Sequence, residues 1–433
     1  MRSDDLQYQT GFGNALWSEA RLGALPLDQN SPRKVPYGLF NEQINGTGFT
    51  VERGRNRRCW LYRLHPTISP ARWSRLEAPR FVGRFDEGVS SPEVLRFKPA
   101  PLPPPGTDFI AGLSTFGGSG SAELQRGMAI HLYAATADMS RAFGNADSDT
   151  LIVPWHGALR VQTELGWLQV APGEILIVPR SIRFRVLLPD GSGQGWVAEV
   201  FNGPLRLPER GPVGANGMAD ERHFRAPVAA YEDAGPTVIV QKQGGELWQI
   251  TAPHSPFDVV AWHGNHAPFK YNLKDFNSLG SVSFDHPDPS ILTVLTCPGD
   301  SHGRNALDLA VFRGRWDVSE HTFRPPFFHR NAAIEFNGVV RGHPGVWAPG
   351  TISYTPSMSP HAVSARSYNG VISGPDKVAD RPVRLSDESL WIQFESTYPM
   401  RVMPWARDVE HRDQDYLASF DGYRRGELVE QDA

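Results

Sequence analysis

His329, Glu335 and His361 stand in the last third of this chain, and two imidazoles with one carboxylate are a donor set that holds Fe(II) on one face. The opposite coordination positions then stay open for a substrate and O2. His361 follows Glu335 by 26 residues. A pair at i and i+4 would share a helix face, whereas the i, i+6 interval from His329 to Glu335 suits side chains turned the same way along a strand or turn. The three ligands are therefore expected in β-structure. A single His in a β-rich protein is ordinarily a satisfied structural residue, and a single Glu an ordinary ion-pair partner. The trio, approached through Arg324, Pro325 and Pro326, points to a metal.

The elements that position such a site are expected to be short strands. Gly (42) and Pro (37) are frequent and spread along the chain, which suits strands joined by tight turns and disfavours long helices. Phe49 to Val51 and Trp60 to Leu64 read as strands, and the prolines between Pro99 and Pro105 read as a stiff connection. From Leu151 the pattern sharpens into strands at residues 151–154, 158–163, 167–170, 173–179 and 184–186. That meander resembles one half of a cupin. Arg180, Ser181 and Arg183 stand where a cupin would place a histidine ligand, so this half is expected to be metal-free. Residues 204–280 read as irregular connections. Strands resume at 281–284, 291–295 and 310–312, with a late one at 390–395. The tail from Arg407 through Gly426 is charged enough to suggest an exposed helix. The expected architecture is all-β dominated, with two cupin-like jelly-roll units and few helices: residues 1–280, and residues 281–433 carrying the metal.

Forty-three basic against 47 acidic residues give a formal charge of −4, which offers no electrostatic case for nucleic acid or an anionic membrane. A small molecule is the default ligand. Cys59 and Cys297 are too few and too far apart for a disulfide scaffold and suit a reducing compartment. The opening residues lack a basic segment followed by an apolar one, and no apolar run reaches membrane-spanning length, so a cytoplasmic protein is expected.

Over nearly its whole length the chain resembles the homogentisate 1,2-dioxygenases, iron enzymes that open an aromatic ring in tyrosine breakdown. The likeness rests on Gly11-Phe12-Gly13-Asn14, Gln29-Asn30-Ser31-Pro32, Pro36-Tyr37-Gly38-Leu39, Trp60-Leu61-Tyr62-Arg63, Pro204 to Pro208, Asp258 to Gly264, Ser283 to Ser290 and Thr322 to Asn331, in one order. The resemblance implies Fe(II), a homo-oligomer (a trimer or a hexamer built from trimers), and His286 as the acid–base residue beside the iron. Histidine suits that role because its unperturbed pKa lies near neutrality. The chain departs from the family in places. Pro344 stands where the family has a tyrosine, Thr355 where it has a histidine, and the loop before His361 is shorter. If a carboxymethyl group is still recognised, Arg341 or Arg366 is the candidate cation. Phe327, Phe328 and Trp347 are candidate walls for an aromatic substrate or packing residues, and His343 is a candidate contact or a surface residue. The expected function is cleavage of homogentisate or a related substituted hydroquinone by O2. The alternatives are a different hydroquinone or gentisate-like ring, or a non-oxidative cupin reaction on Zn2+ or Mn2+.

Overall fold

The computed structural model of the chain describes residues 5–78, 80–280, 288–301, 303–317, 327–343, 347–373 and 382–426. The strand expected at 281–284, the proposed base His286, His302, His321, Arg324 to Pro326 and Pro344 lie outside them.

The chain is β-dominated, as its turn-rich composition implies. Its longest described helix is Ala365–Ser373. The expected meander is present as strands Asp149–His156, Leu159–Thr163, Gly166–Val170, Glu174–Val178 and Phe184–Leu187. They do not form one sheet. Asp149–His156 and Glu174–Val178 join a nine-stranded sheet, and the other three join a seven-stranded sheet. Leu151, Ile175, Val161, Leu168, Phe184 and Val186 are all buried in one hydrophobic core. Phe143 meets Phe184 edge-on in it, with ring centroids 5.5 Å apart.

Three expectations are corrected. Residues 204–280 are not merely connections. They contribute strands Arg225–Pro227, Thr237–Gln243, Glu246–Ala252, Val259–Gly264 and Phe269–Asn272, distributed over three sheets. Phe49 to Val51 form a turn, because Gly46 and Gly48 break the run, and Phe49 is exposed. The charged tail is not a helix beyond the short turns Pro404–Arg407 and Leu417–Phe420. Its charges pair with residues distant in sequence instead: Arg412 with Glu93 at 2.7 Å and Asp413 with Arg96 at 2.6 Å.

Between the sheets of the N-terminal part lies a buried polar cluster. Lys242 Nζ lies 2.7 Å from Glu199 Oε2 and 3.2 Å from Asp147 Oδ2, with all three side chains buried. Asn145 Nδ2 donates to the other oxygen of Glu199 at 2.7 Å. The backbone N–H groups of Gly244 and Gly245 donate to Asp147. His131, also fully buried, places Nε2 3.4 Å from Glu199. Burial opposes the Glu199 charge, but Lys242 and His131 overcome it and hold its carboxyl at about 2.

A separate six-stranded antiparallel sheet has the order Thr293–Pro298, Asn305–Phe312, Leu390–Ser396, Ile334–Arg341, Ile352–Thr355 and Leu95–Phe97. The last strand comes from the first third of the chain. Ile334, Phe336 and Val340 on one face of Ile334–Arg341 enter the same core as the nine-stranded sheet, so Glu335 is turned to the opposite face. Where the two sheets cross, the Trp196 ring lies over Gly338. A Cβ there would sit 2.7 Å from Trp196 Cη2. Gly338→Ala is thus expected to destabilise the protein by about 1–3 kcal/mol through overpacking. A denaturant titration checks this, and an unchanged midpoint would show that Trp196 yields freely.

Candidate metal centre

Each predicted ligand is placed by backbone rather than by a helix. Glu335 is the second residue of Ile334–Arg341, directly opposite Thr355 on one neighbouring strand and Glu395 on the other. His329 and His361 lie on loops tied to each other by a two-bond bridge. His329 N donates to His361 O at 3.2 Å, and His361 N donates to His329 O at 3.1 Å. The turn that delivers His361 is fixed from several sides. Met358 adopts φ +61°, its N–H donates to Asn331 O at 2.7 Å, and the Ser359 hydroxyl donates to Pro92 O at 2.8 Å. The chain accepts one uncommon backbone conformation there to close the loop.

The side chains converge. Ligand atoms of His329, Glu335 and His361 all lie within 4.8 Å of one another. His361 Nε2 is 3.3 Å from Glu335 Oε2, and His329 Nε2 is 3.7 Å from Oε1. The two imidazole centroids are 4.1 Å apart. Each histidine donates Nδ1–H to the carbonyl two residues before it, His329 to Phe327 O at 2.8 Å and His361 to Ser359 O at 3.0 Å. A carbonyl only accepts, so in the neutral rings the lone pair sits on Nε2 and faces the carboxylate. Two lone pairs and a carboxylate turned toward one point repel unless a cation or protons lie between them. The backbone-anchored tautomer is the arrangement that metal-bound histidines use.

With protons rather than a cation between the three groups, burial would raise the Glu335 carboxyl, but hydrogen bonds and positive charge from His329 and His361 hold it at about 2. The bond to Glu335 in turn raises the His329 imidazole. Across the strand, burial and the neighbouring carboxylates Glu335, Asp308 and Asp288 push Glu395 up to about 8. Glu395 thus favours its neutral form near pH 7.

The other expected site residues are placed unequally. Phe327 stands beside the trio, its ring centroid 5.6 Å from that of His329. Phe328 turns away into an aromatic cluster with Tyr368 at 5.3 Å and Tyr423 at 5.1 Å. Arg341 and His343 are not brought to the trio. Arg341 ends the strand on which Glu335 is second, about 20 Å away at 3.3 Å per residue. Trp347 lies toward that end too, packing on Trp391 at 4.7 Å.

Sequence reasoning missed two residues here. Asn331 Nδ2 donates to Glu335 Oε1, and its place between two ligands in one stretch was a usable signal. Tyr423 donates its hydroxyl to Val363 O, two residues past His361. Nothing in the spacing of the tail announces that contact.

In this β-dominated, cupin-like scaffold, two loop histidines and one strand carboxylate converge as a donor set that could hold a metal ion. Two family models match, homogentisate 1,2-dioxygenase N-terminal over residues 7–273 and homogentisate 1,2-dioxygenase C-terminal over residues 274–426. A homogentisate 1,2-dioxygenase of Oryza sativa subsp. japonica is 47% identical over 433 residues, covering 96% of this chain and 91% of that relative. The chain belongs to the homogentisate 1,2-dioxygenase family and is a dioxygenase. Among solved structures, a cupin 2 conserved barrel domain protein from Leptotrichia buccalis overlaps 62% of this chain and 83% of its own at 9% identity and a TM-score of 0.28. An oxalate decarboxylase variant of B. subtilis overlaps 78% of this chain and 81% of its own at 11% identity and a TM-score of 0.25. These last two likenesses are too distant to bear on function.

Proposed function

We propose that His329, Glu335 and His361 hold Fe(II), and that the enzyme uses it to insert both atoms of O2 into homogentisate or a closely related substituted hydroquinone, opening the ring. The observation that carries this reading is the convergence of the Nε2 atoms of two backbone-anchored imidazoles on one carboxylate. Bound there, ferrous iron supplies the one-electron chemistry that a singlet ring and triplet O2 lack between themselves.

The residues of the chain do the rest. The Nδ1 bonds to Phe327 O and Ser359 O fix both imidazoles in the tautomer that presents Nε2. Asn331 restrains one oxygen of Glu335 and leaves the other toward His361. Phe327 offers a flat apolar wall beside His329, suited to one face of an aromatic ring. His286 is assigned as the base that takes a ring hydroxyl proton, because a group titrating near neutrality both accepts and returns it. Residues 281–433 would form the metal-holding unit and residues 1–280 its scaffold. The homo-oligomer expectation is kept, since Trp17, Leu22, Leu27 and Phe49 are exposed apolar side chains of the first unit.

A changed ring substituent is the second reading. Thr355, one of the departures from the family, lies directly opposite Glu335, while Arg341, a candidate cation, ends that strand. Oxygen uptake with homogentisate, gentisate and alkyl-hydroquinones separates the two. Uptake with homogentisate supports the first, uptake only with another ring supports the second, and none with any ring defeats both. His286→Gln is expected to keep the metal while turnover falls about 100-fold or more. A fully active variant would remove His286 from the mechanism.

A further inference from the structure

The loops that carry His329 and His361 are met from outside by the C-terminal tail. Beyond His361 the chain turns at Ser364, whose hydroxyl accepts Ser367 N–H at 3.3 Å, into the helix Ala365–Ser373. The tail comes to that helix after running beside strand Leu95–Phe97, where Lys98 N–H donates to His411 O and Asp413 N–H to Arg96 O, each at 2.8 Å. We propose that Tyr423, carried by this tail, is a positioning residue for the metal centre, which clasps both histidine-bearing loops and holds their imidazoles against Glu335. The inference rests on the reading of His329, Glu335 and His361 as metal ligands.

Tyr423 is itself held in place by the helix. Asn369 donates Nδ2–H to Gly422 O at 2.8 Å, and its Oδ1 accepts Arg424 N–H at 3.3 Å. One amide side chain thus pins the peptide groups on both sides of Tyr423, so little beyond its own side-chain torsions is left to set where the ring points. The ring meets Phe328 edge-on with centroids 5.1 Å apart and Tyr368 edge-on at 5.6 Å, and Phe328 and Tyr368 also pack on each other at 5.3 Å. The hydroxyl at its tip donates to Val363 O. Phe328 directly precedes His329, and Val363 stands two residues past His361. One side chain therefore grips the chain beside each histidine.

Such a grip matters because the three ligands are not equally anchored. Glu335 is fixed by strand pairing on both sides. His329 and His361 are joined by a two-bond bridge, which ties the loops to each other but leaves the pair able to shift together relative to Glu335. Met358 and Ser359 tether the loop before His361, and Tyr423 tethers it after. A displacement of about 1 Å in a catalytic site can cost about 100-fold in rate. Packing of the tail accounts for the three rings, but a phenylalanine would serve that purpose equally. The hydroxyl bond to Val363 is what distinguishes a clasp.

Anaerobic equilibrium dialysis of the full chain against Fe(II), with the visible absorption of bound Co2+ as a report on ligand geometry, tests the proposal. Y423F keeps the ring and its packing and loses one hydrogen bond, so Fe(II) affinity is expected to fall about three- to tenfold and the Co2+ band to shift. Y423A loses the ring contacts too and should weaken binding about tenfold or more. Arg141→Ala is the stability control. It breaks the 2.9 Å ion pair with Asp108 beside strand Ala142–Asn145, in a sheet that carries none of the trio, and should lower Tm while Fe(II) affinity stays unchanged. Unmodified Fe(II) affinity and an unshifted Co2+ band in Y423F overturn the proposal, whatever its Tm. So does an equal loss of affinity in Arg141→Ala, because stability alone would then explain both. H329Q/H361Q keeps the two readings apart. Fe(II) retained by that variant defeats the metal assignment itself, whereas Fe(II) lost by it and held normally by Y423F defeats only the clasp.

Discussion

Glu335→Gln is expected to weaken iron binding at least about 100-fold and to remove oxygen uptake with it, since loss of groups merely supporting a ligand already costs about 10–100-fold. The substitution is nearly isosteric, so the strand and its pairing with Thr355 and Glu395 should persist. What it removes is charge. The carboxylate held at about 2 is the only acidic member of the trio. A neutral amide also offers its oxygen to one partner and two N–H donors to the other, which collide with nothing but fail as a ligand pair. Unchanged circular dichroism with lost iron and lost uptake is the predicted outcome. A variant that retains iron would show that the two histidines suffice.

Lys242→Met is expected to have the largest effect on stability, about 3–5 kcal/mol, because it leaves Glu199 and Asp147 buried without their cation. Adding Glu199→Gln to the same chain should recover part of that loss, since the uncompensated charge goes with it. Denaturant midpoints of the two variants measure both effects. The same cluster sets an acid limit. Glu199 titrates at about 2 in the folded protein against an ordinary 4.5. A depressed carboxyl contributes stability that is complete above the ordinary value and is lost as pH falls toward the folded one. The unmodified protein should therefore lose stability between about pH 4.5 and pH 2, and Glu199→Gln should flatten that slope.

The convergence of His329, Glu335 and His361 was legible in the sequence because their residue types and spacing suggested one donor set. The strands of residues 149–187 were legible for a different reason. Their apolar residues alternate and their turns are short, so each strand announces itself locally. Thr237–Gln243 was missed although Thr237 to Val240 is a β-branched run that signals a strand; its polar end is interior because Glu199 and Asp147, distant in sequence, meet Lys242. Its parallel partner, Ala142–Asn145, is equally remote. Arg341 and His343 illustrate the reverse error. They are near Glu335 in sequence, but an extended strand carries neighbours apart instead of gathering them. The tail misled through its charges, which suggested solvent but are matched by Glu93 and Arg96. In each case the deciding partner was far along the chain.

The central claim is that one ferrous ion held by His329, Glu335 and His361 supports the oxygenase reaction. Its most direct test is anaerobic titration of Fe(II) into the metal-depleted chain, with oxygen uptake on homogentisate or the accepted hydroquinone followed at each addition. Uptake should rise in proportion to iron and level off in the unmodified chain, and it should stay at baseline at every iron level in H329Q/H361Q. Uptake by that variant that rises with iron as in the unmodified chain would contradict the account.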